Sequence, residues 1–290
     1  MRSHELPALE SSAPDSAISA EDQTLRLQNR IPGHAVITEL LAIQNRVQPR
    51  SRLGRIFGAN PLSPDSLPWY QGALGEIRIG HILTSLRADW TVLHAVPVGT
   101  GSSDIDHVLI GPAGVFTLNT KNHANQNVWV AGNTFMVAGR KQCHISNAVH
   151  EASRAAKLLA AVTSTPVPVT GVVVIVGAKK LTIREKPAAV RVLTERQLLR
   201  WLTRRKPVLT SEQIAEIVAA ASRPETWHRN PPVPGNPAAL RNSFIDLQRQ
   251  VSAARARRTA WAFGALAAMG AILAALIPAA ATLIPTILVP

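Results

Sequence analysis

Residues 169–176 read Val-Thr-Gly-Val-Val-Val-Ile-Val, and this run most constrains the fold. β-Branched side chains are stiff at χ1 and favour extended backbone. A near-continuous run of them suits a central strand buried on both faces, as in a parallel or mixed sheet. A strand of that kind needs a layer of structure against each face.

The flanking patterns supply those layers. Residues 72–86 place Ile79, Ile82, Leu83 and Leu86 on one helical face. Strands are predicted at 90–96, 105–110 and 115–120. A tight Gly111-Pro-Ala-Gly114 turn joins the last two. Gly132-Asn133 marks a hairpin between residues 128–131 and 134–138. Helices are predicted at 147–162, 194–202 and 210–221, with Thr194 and Gln197 spaced as a capping box. A short strand is expected at 190–193. Together these define an α/β core of ordinary domain size, with a central mixed sheet flanked by helices.

The rest of the chain reads differently. Residues 1–67 are polar and rich in Pro and Ser, and are expected to be mostly disordered, apart from a possible short helix at 35–47. The folded domain is expected at 68–222. Residues 223–258 combine a Pro-rich linker with a polar, basic segment. From Ala260 to Pro290 no residue is charged, while Arg255, Arg257 and Arg258 come just before. Eighteen helical residues span about 27 Å, close to a bilayer's hydrocarbon thickness. Residues 259–290 are therefore expected to form a single-pass transmembrane anchor, with Trp261 at the interface. The positive-inside rule then puts residues 1–258 in the cytoplasm. The other reading of this segment is a buried, Ala-rich helix of the core.

Lys and Arg total 31 against 18 acidic residues, a formal charge of +13. Such a field favours polyanions. Only seven of the cations are Lys, and an Arg bias of that size also follows from a GC-rich genome. The single cysteine, Cys143, excludes a disulfide framework and a multi-cysteine zinc site. No Gly-Lys-Ser/Thr loop is present for nucleotide phosphates. His123, His144 and His150 show no metal-ligand spacing. His107 reads as a packing histidine rather than a base. Arg140-Lys141 and Lys179-Lys180 read as solvated surface.

One constellation can carry chemistry: Gly75-Glu76 on the first core helix, Asp104 and Asp106 opening one strand, and Asn119 and Lys121 closing the next. Side chains two apart on a strand share a face. The turn at 111–114 folds these strands antiparallel, which brings Asp106 towards Lys121, with Glu76 able to reach the same place. Carboxylates suit Mg²⁺ or Mn²⁺ through hard oxygen ligands. Lysine suits the charge that develops during phosphodiester hydrolysis.

These residues carry a resemblance. Gly75-Glu76, the string Asp-Ile-Asp-His-Val-Leu-Ile-Gly-Pro-Ala-Gly at 104–114, Val115-Phe116 and Thr120-Lys121-Asn122 resemble the NERD (nuclease-related) domain over roughly residues 70–180. That family is regarded as a branch of the PD-(D/E)XK nucleases, which implies a restriction-endonuclease-like core. The resemblance implies that Asp106 is the metal-binding aspartate, Lys121 the motif lysine and Glu76 the first-helix glutamate. It also implies Mg²⁺ or Mn²⁺ as cofactor and DNA or RNA as partner. One position departs from the pattern, because Asn119 stands where an acid two residues before the lysine is expected. Either Asp106, Asp104 and Glu76 suffice with the Asn119 amide oxygen, or Glu151 supplies the missing charge, or only binding remains. The function expected is therefore a membrane-tethered, metal-dependent nuclease. The alternative is a catalytically inactive, membrane-anchored module that binds nucleic acid or protein.

Overall fold

The computed structural model describes residues 27–100, 103–231 and 235–287, with backbone alone from 275 onwards. After a short 3₁₀ turn at Leu27–Asn29 come helices α1 (His34–Gln44), α2 (Arg52–Ile56) and α3 (Ser66–Leu83). Strands β1 (Thr91–Pro97), β2 (Asp104–Gly111) and β3 (Gly114–Asn122) follow, then β4 (Asn127–Ala131), β5 (Thr134–Val137) and β6 (Arg140–Gln142). Next are α4 (His144–Ala160), β7 (Val169–Val176), β8 (Lys180–Glu185) and β9 (Val190–Thr194). Helices α5 (Glu195–Thr203), α6 (Ser211–Ala221), α7 (Pro224–Trp227) and α8 (Pro237–Ile287) complete the described chain.

The main sheet has the order β1-β2-β3-β7-β9. β1, β2 and β3 pair antiparallel, whereas β3, β7 and β9 pair parallel. The β-branched run is β7, at the centre of the parallel half. Val172 and Val174 pack with Ile79 and Leu83 of α3 and Leu198 and Leu202 of α5. Val173 and Ile175 pack on the opposite face, with α4 and a second sheet of order β6-β5-β4-β8. The strand is buried on both faces, so it needs no polar alternation. β1 and β2 cover their own side with Leu93, Ile105, Val108 and Ile110, against Ala155 and Leu159 of α4 and Ile217 of α6. This mixed α/β arrangement fits a nuclease-like core.

Three expectations are corrected. The first concerns the region before the core. Residues 27–62 are folded, and Ile31, Ile37, Leu40 and Leu62 are buried with Ala73 of α3 and Phe244 and Leu247 of α8. Gly80 of α3 marks how closely this segment docks. A Cβ at Gly80 would lie 2.2 Å from Pro32 Cγ, so only glycine allows the approach.

The second concerns the stretch between core and C-terminus. Trp227 of α7 is fully buried, and its Nε1 donates to Ala221 O at 2.7 Å. Residues 237–258 are the first part of one continuous 51-residue helix, not a separate basic segment. Phe244, Leu247 and Ala254 bury its inner side.

The third concerns the anchor. Among the described residues no helix is long and apolar enough to cross a membrane. The uncharged stretch of α8 with described side chains runs from Ala260 to Ala274. Trp261 does not await an interface. Its Nε1 donates to Ile56 O at 3.0 Å, and its ring lies 5.0 Å from that of Phe57. The single-pass C-terminal anchor is not supported. The orientation drawn from it, with residues 1–258 cytoplasmic, loses its basis. Residues 288–290 of that segment lie outside the described residues, as do residues 1–26 of the N-terminal region.

Candidate active site

The β2–β3 ladder runs from Gly111↔Gly114 to His107↔Leu118. Past His107, the Asp106 carboxylate meets the neighbouring strand itself, and Thr120 N donates to Asp106 Oδ2 at 2.5 Å. Asn119 and Lys121 follow on β3, each level with a β7 residue: Asn119↔Val173 and Lys121↔Ile175. The buried strand thus fixes where both polar side chains emerge. Opposite them, Asn119 Nδ2 donates to Glu151 Oε1 of α4 at 2.6 Å.

Glu76 reaches the cluster from α3. Its position depends on Gly75, where a Cβ would sit 3.1 Å from Asn122 Cβ and 3.4 Å from Thr120 Cγ2. Glycine there lets the helix lie directly on β3. Glu76 is only 4% exposed. The Gly33 backbone amide, just before α1, acts to lower the pKa of its carboxyl. Arg30 adds a positive charge beside Asp104 while its Nη1 donates to Ala95 O at 2.8 Å.

The carboxylates act on one another and on Lys121. Burial pushes the Glu76 carboxyl well above the usual range, and Asp106 and Asp104 push it further; Lys121 and the Gly33 amide oppose. Burial, then the Asp106 charge, raises Asp104 to about 7 against the opposing pull of Arg30. Glu151 is likewise raised to about 7 by burial and Asp106, with the Asn119 hydrogen bond and Lys121 opposing. Asp106 is raised by burial and held down chiefly by Lys121 and Thr120. Like charges in a poorly solvated place resist joint ionisation. Four carboxylates share one lysine here.

The structure therefore brings Glu76, Asp104, Asp106, Asn119 and Lys121 together, with Glu151 beside them. Two neighbours had no readable signal in the sequence. Arg30 and Gly33 lie in a segment whose role depends on docking against α3. The histidines contact one another in two pairs. His107 is fully buried, with its Nδ1 2.9 Å from His94 Nδ1. His123 and His144 stack with their Nε2 atoms 3.2 Å apart, and burial lowers both pKa values, His144 to about 4.

As positioned, no three His, Cys, Asp or Glu side chains among the described residues converge on one point that could hold a metal ion. The donor set nonetheless fits a hard cation. Glu76 Oε2, Asp104 Oδ2, Asn119 Oδ1 and Glu151 Oε2 are all shielded from water and lack a hydrogen-bond partner. All four are oxygens, the ligand type that Mg²⁺ and Mn²⁺ take. Buried polar atoms left unpaired are costly, and such a set calls for a positive partner.

A mixed sheet with clustered carboxylates and a lysine at its strand ends fits a nuclease-like α/β core. Residues 71–176 match the family model of the nuclease-related domain, NERD. The matched span runs from within α3 to the end of β7 and includes every carboxylate of the cluster. Arg30, Gly33 and α5 lie outside the matched span. Comparisons with curated proteins and with solved structures find no match.

Proposed function

We propose that this protein hydrolyses phosphodiester bonds in DNA or RNA with the help of Mg²⁺ or Mn²⁺. One observation carries the reading: four carboxylates with raised pKa values surround Lys121, and three of them keep an unpaired, shielded oxygen. Clusters with pKa values displaced in this way mark functional sites more often than structural ones.

Glu76, Asp106 and the Asn119 amide oxygen would hold the metal, with Asp104 and Glu151 adding charge. When bound, the ion polarises a phosphoryl oxygen and makes a water nucleophilic near neutral pH. Thr120 N fixes the Asp106 carboxylate, and the Asn119 amide fixes Glu151. The Lys121 ammonium offsets negative charge that develops on the phosphate. The Gly33 amide and Arg30 steady the acidic cluster from the outside.

A second reading, a binding module without catalysis, is favoured by Asn119, which supplies an amide where the motif has an acid. Incubating the full chain with labelled single-stranded DNA, duplex DNA and RNA separates the two. The expected result is cleavage that needs Mg²⁺ or Mn²⁺, stops with EDTA and is lost in Lys121→Ala. Binding without cleavage under every metal condition favours the second reading.

A further inference from the structure

Helix α5 carries a basic groove that the cluster does not use. Arg196, Arg200 and Arg204 follow one another at i, i+4 and i+8, about 6 Å apart along the axis. They line a cleft of about 540 Å³ together with Trp201 and Arg205. A second lobe, of about 310 Å³, adds Lys186 and Arg191 and shares Trp201 and Arg205 with the first. No acidic side chain lines either lobe among the described residues. Glu195, the acid nearest in sequence, is taken by Arg78 at 3.3 Å. None of the groove's cations forms an ion pair among the described residues.

The groove is also built. Arg205 lies over the Trp201 ring at 4.8 Å, and Trp201 meets Phe116 of the core edge-on at 5.5 Å. The guanidinium is held by the ring face rather than left free in solvent. Arginine's planar fork suits phosphate oxygens, and regular arginines beside an aromatic ring suit a strand of sugar-phosphate.

Register places the groove near the candidate active site. Lys121 pairs with Ile175, and Ile175 with Thr194, the N-cap of α5. Two strand spacings put the Lys121 and Thr194 backbones about 10 Å apart. Asn119 and Lys121 emerge on the α4 face of the sheet and α5 packs on the other, so a strand held on α5 would pass round the strand ends beyond Thr194 to reach the carboxylates.

We propose that the α5 groove is the track for the nucleic-acid backbone, with Arg196, Arg200 and Arg204 on successive phosphates. The proposal rests on the reading of the carboxylate cluster as a nucleic-acid site. It is tested on the full chain by fluorescence anisotropy with labelled poly(dT) in EDTA, from about 50 to 200 mM salt. The variant combines Arg196→Gln, Arg200→Gln and Arg204→Gln. A charge-matched control combines Arg140→Gln, Lys141→Gln and Lys157→Gln, all at exposed positions. The groove variant is expected to bind about ten-fold more weakly or worse. The slope of log K against log salt should fall by about 2, as three lost single-strand phosphate contacts require. The control should match wild type. Equal slopes for wild type and the groove variant would overturn the groove while wild-type cleavage still supports the site. Failure of wild type to bind poly(dT) would overturn the groove alone, as would binding to anionic phospholipid vesicles in its place.

Discussion

Asn119 Nδ2 donates to Glu151 Oε1 at 2.6 Å, so a residue of β3 and a residue of α4 share one polar contact inside the carboxylate cluster. The acid absent from β3 is thereby matched by one on the helix beside it. If Glu151 supplies the missing charge, Glu151→Gln should weaken Mg²⁺ binding and lower cleavage by about 10–100-fold, the size of effect seen when a metal site loses a supporting ligand. Adding Asn119→Asp to that variant should restore much of the loss. Titration calorimetry with Mg²⁺ and cleavage rates measure both. A double variant no better than the single one would show that Glu151 acts only as a structural partner.

Lys121 lowers the pKa of Glu76, Asp104, Asp106 and Glu151. Its removal should do two things. Lys121→Ala should cut the cleavage rate by about 10²–10³, as for loss of a single charge-stabilising donor. The acidic limb of the pH–rate profile should also move to higher pH, because the carboxylates lose their nearest opposing charge. Lys121→Arg should recover the position of that limb more than the rate.

The raised carboxyls make metal-free stability depend on pH. Asp104 and Glu151 titrate near 7 in the folded protein and near 4 when unfolded. Between those values the folded state holds more protons, so unfolding free energy falls as pH rises. The stabilisation is fully present below about pH 4 and is lost as pH passes 7. In EDTA, Tm should therefore drop from pH 5 to pH 8. Mg²⁺ at pH 8 should restore it and release protons, while Glu151→Gln should flatten the EDTA profile. A Tm in EDTA that rises over that interval would contradict the assignment.

Gly80 and Pro32 set how the N-terminal segment docks. Gly80→Ala forces a Cβ within 2.2 Å of Pro32 and should cost about 1–3 kcal/mol. The shift moves Gly33 and Arg30 away from Glu76 and Asp104, so activity should fall beyond the loss of stability. A fragment that begins at residue 68 lacks both groups and should be less active than the full chain. Thermal melts beside cleavage rates separate the two effects.

Legibility in the sequence tracked whether a residue's partners were local. The buried β7 run, the β2–β3 turn and the Thr194–Gln197 capping box carried their own signals, and the structure has all three. Asp106, Asn119 and Lys121 were readable because strand parity fixes faces. The helix expected at 35–47 is present as α1, but the burial of residues 27–62 was not readable, since Ile37 and Leu40 pack against Phe244 and Leu247, some 200 positions away. The same long-range packing hid residues 237–258 as part of a helix. The last uncharged stretch misled because composition shows apolar length but not that Trp261 is bound to Ile56.

The most direct measurement is the Mg²⁺ dependence of cleavage by the full chain, with wild type and Asp106→Asn side by side on the same labelled DNA and RNA. The expected result is a wild-type rate that rises and saturates with Mg²⁺, and no cleavage above background by Asp106→Asn at any concentration. Equal cleavage by both proteins, or none by either while binding persists, would contradict the metal-dependent nuclease reading.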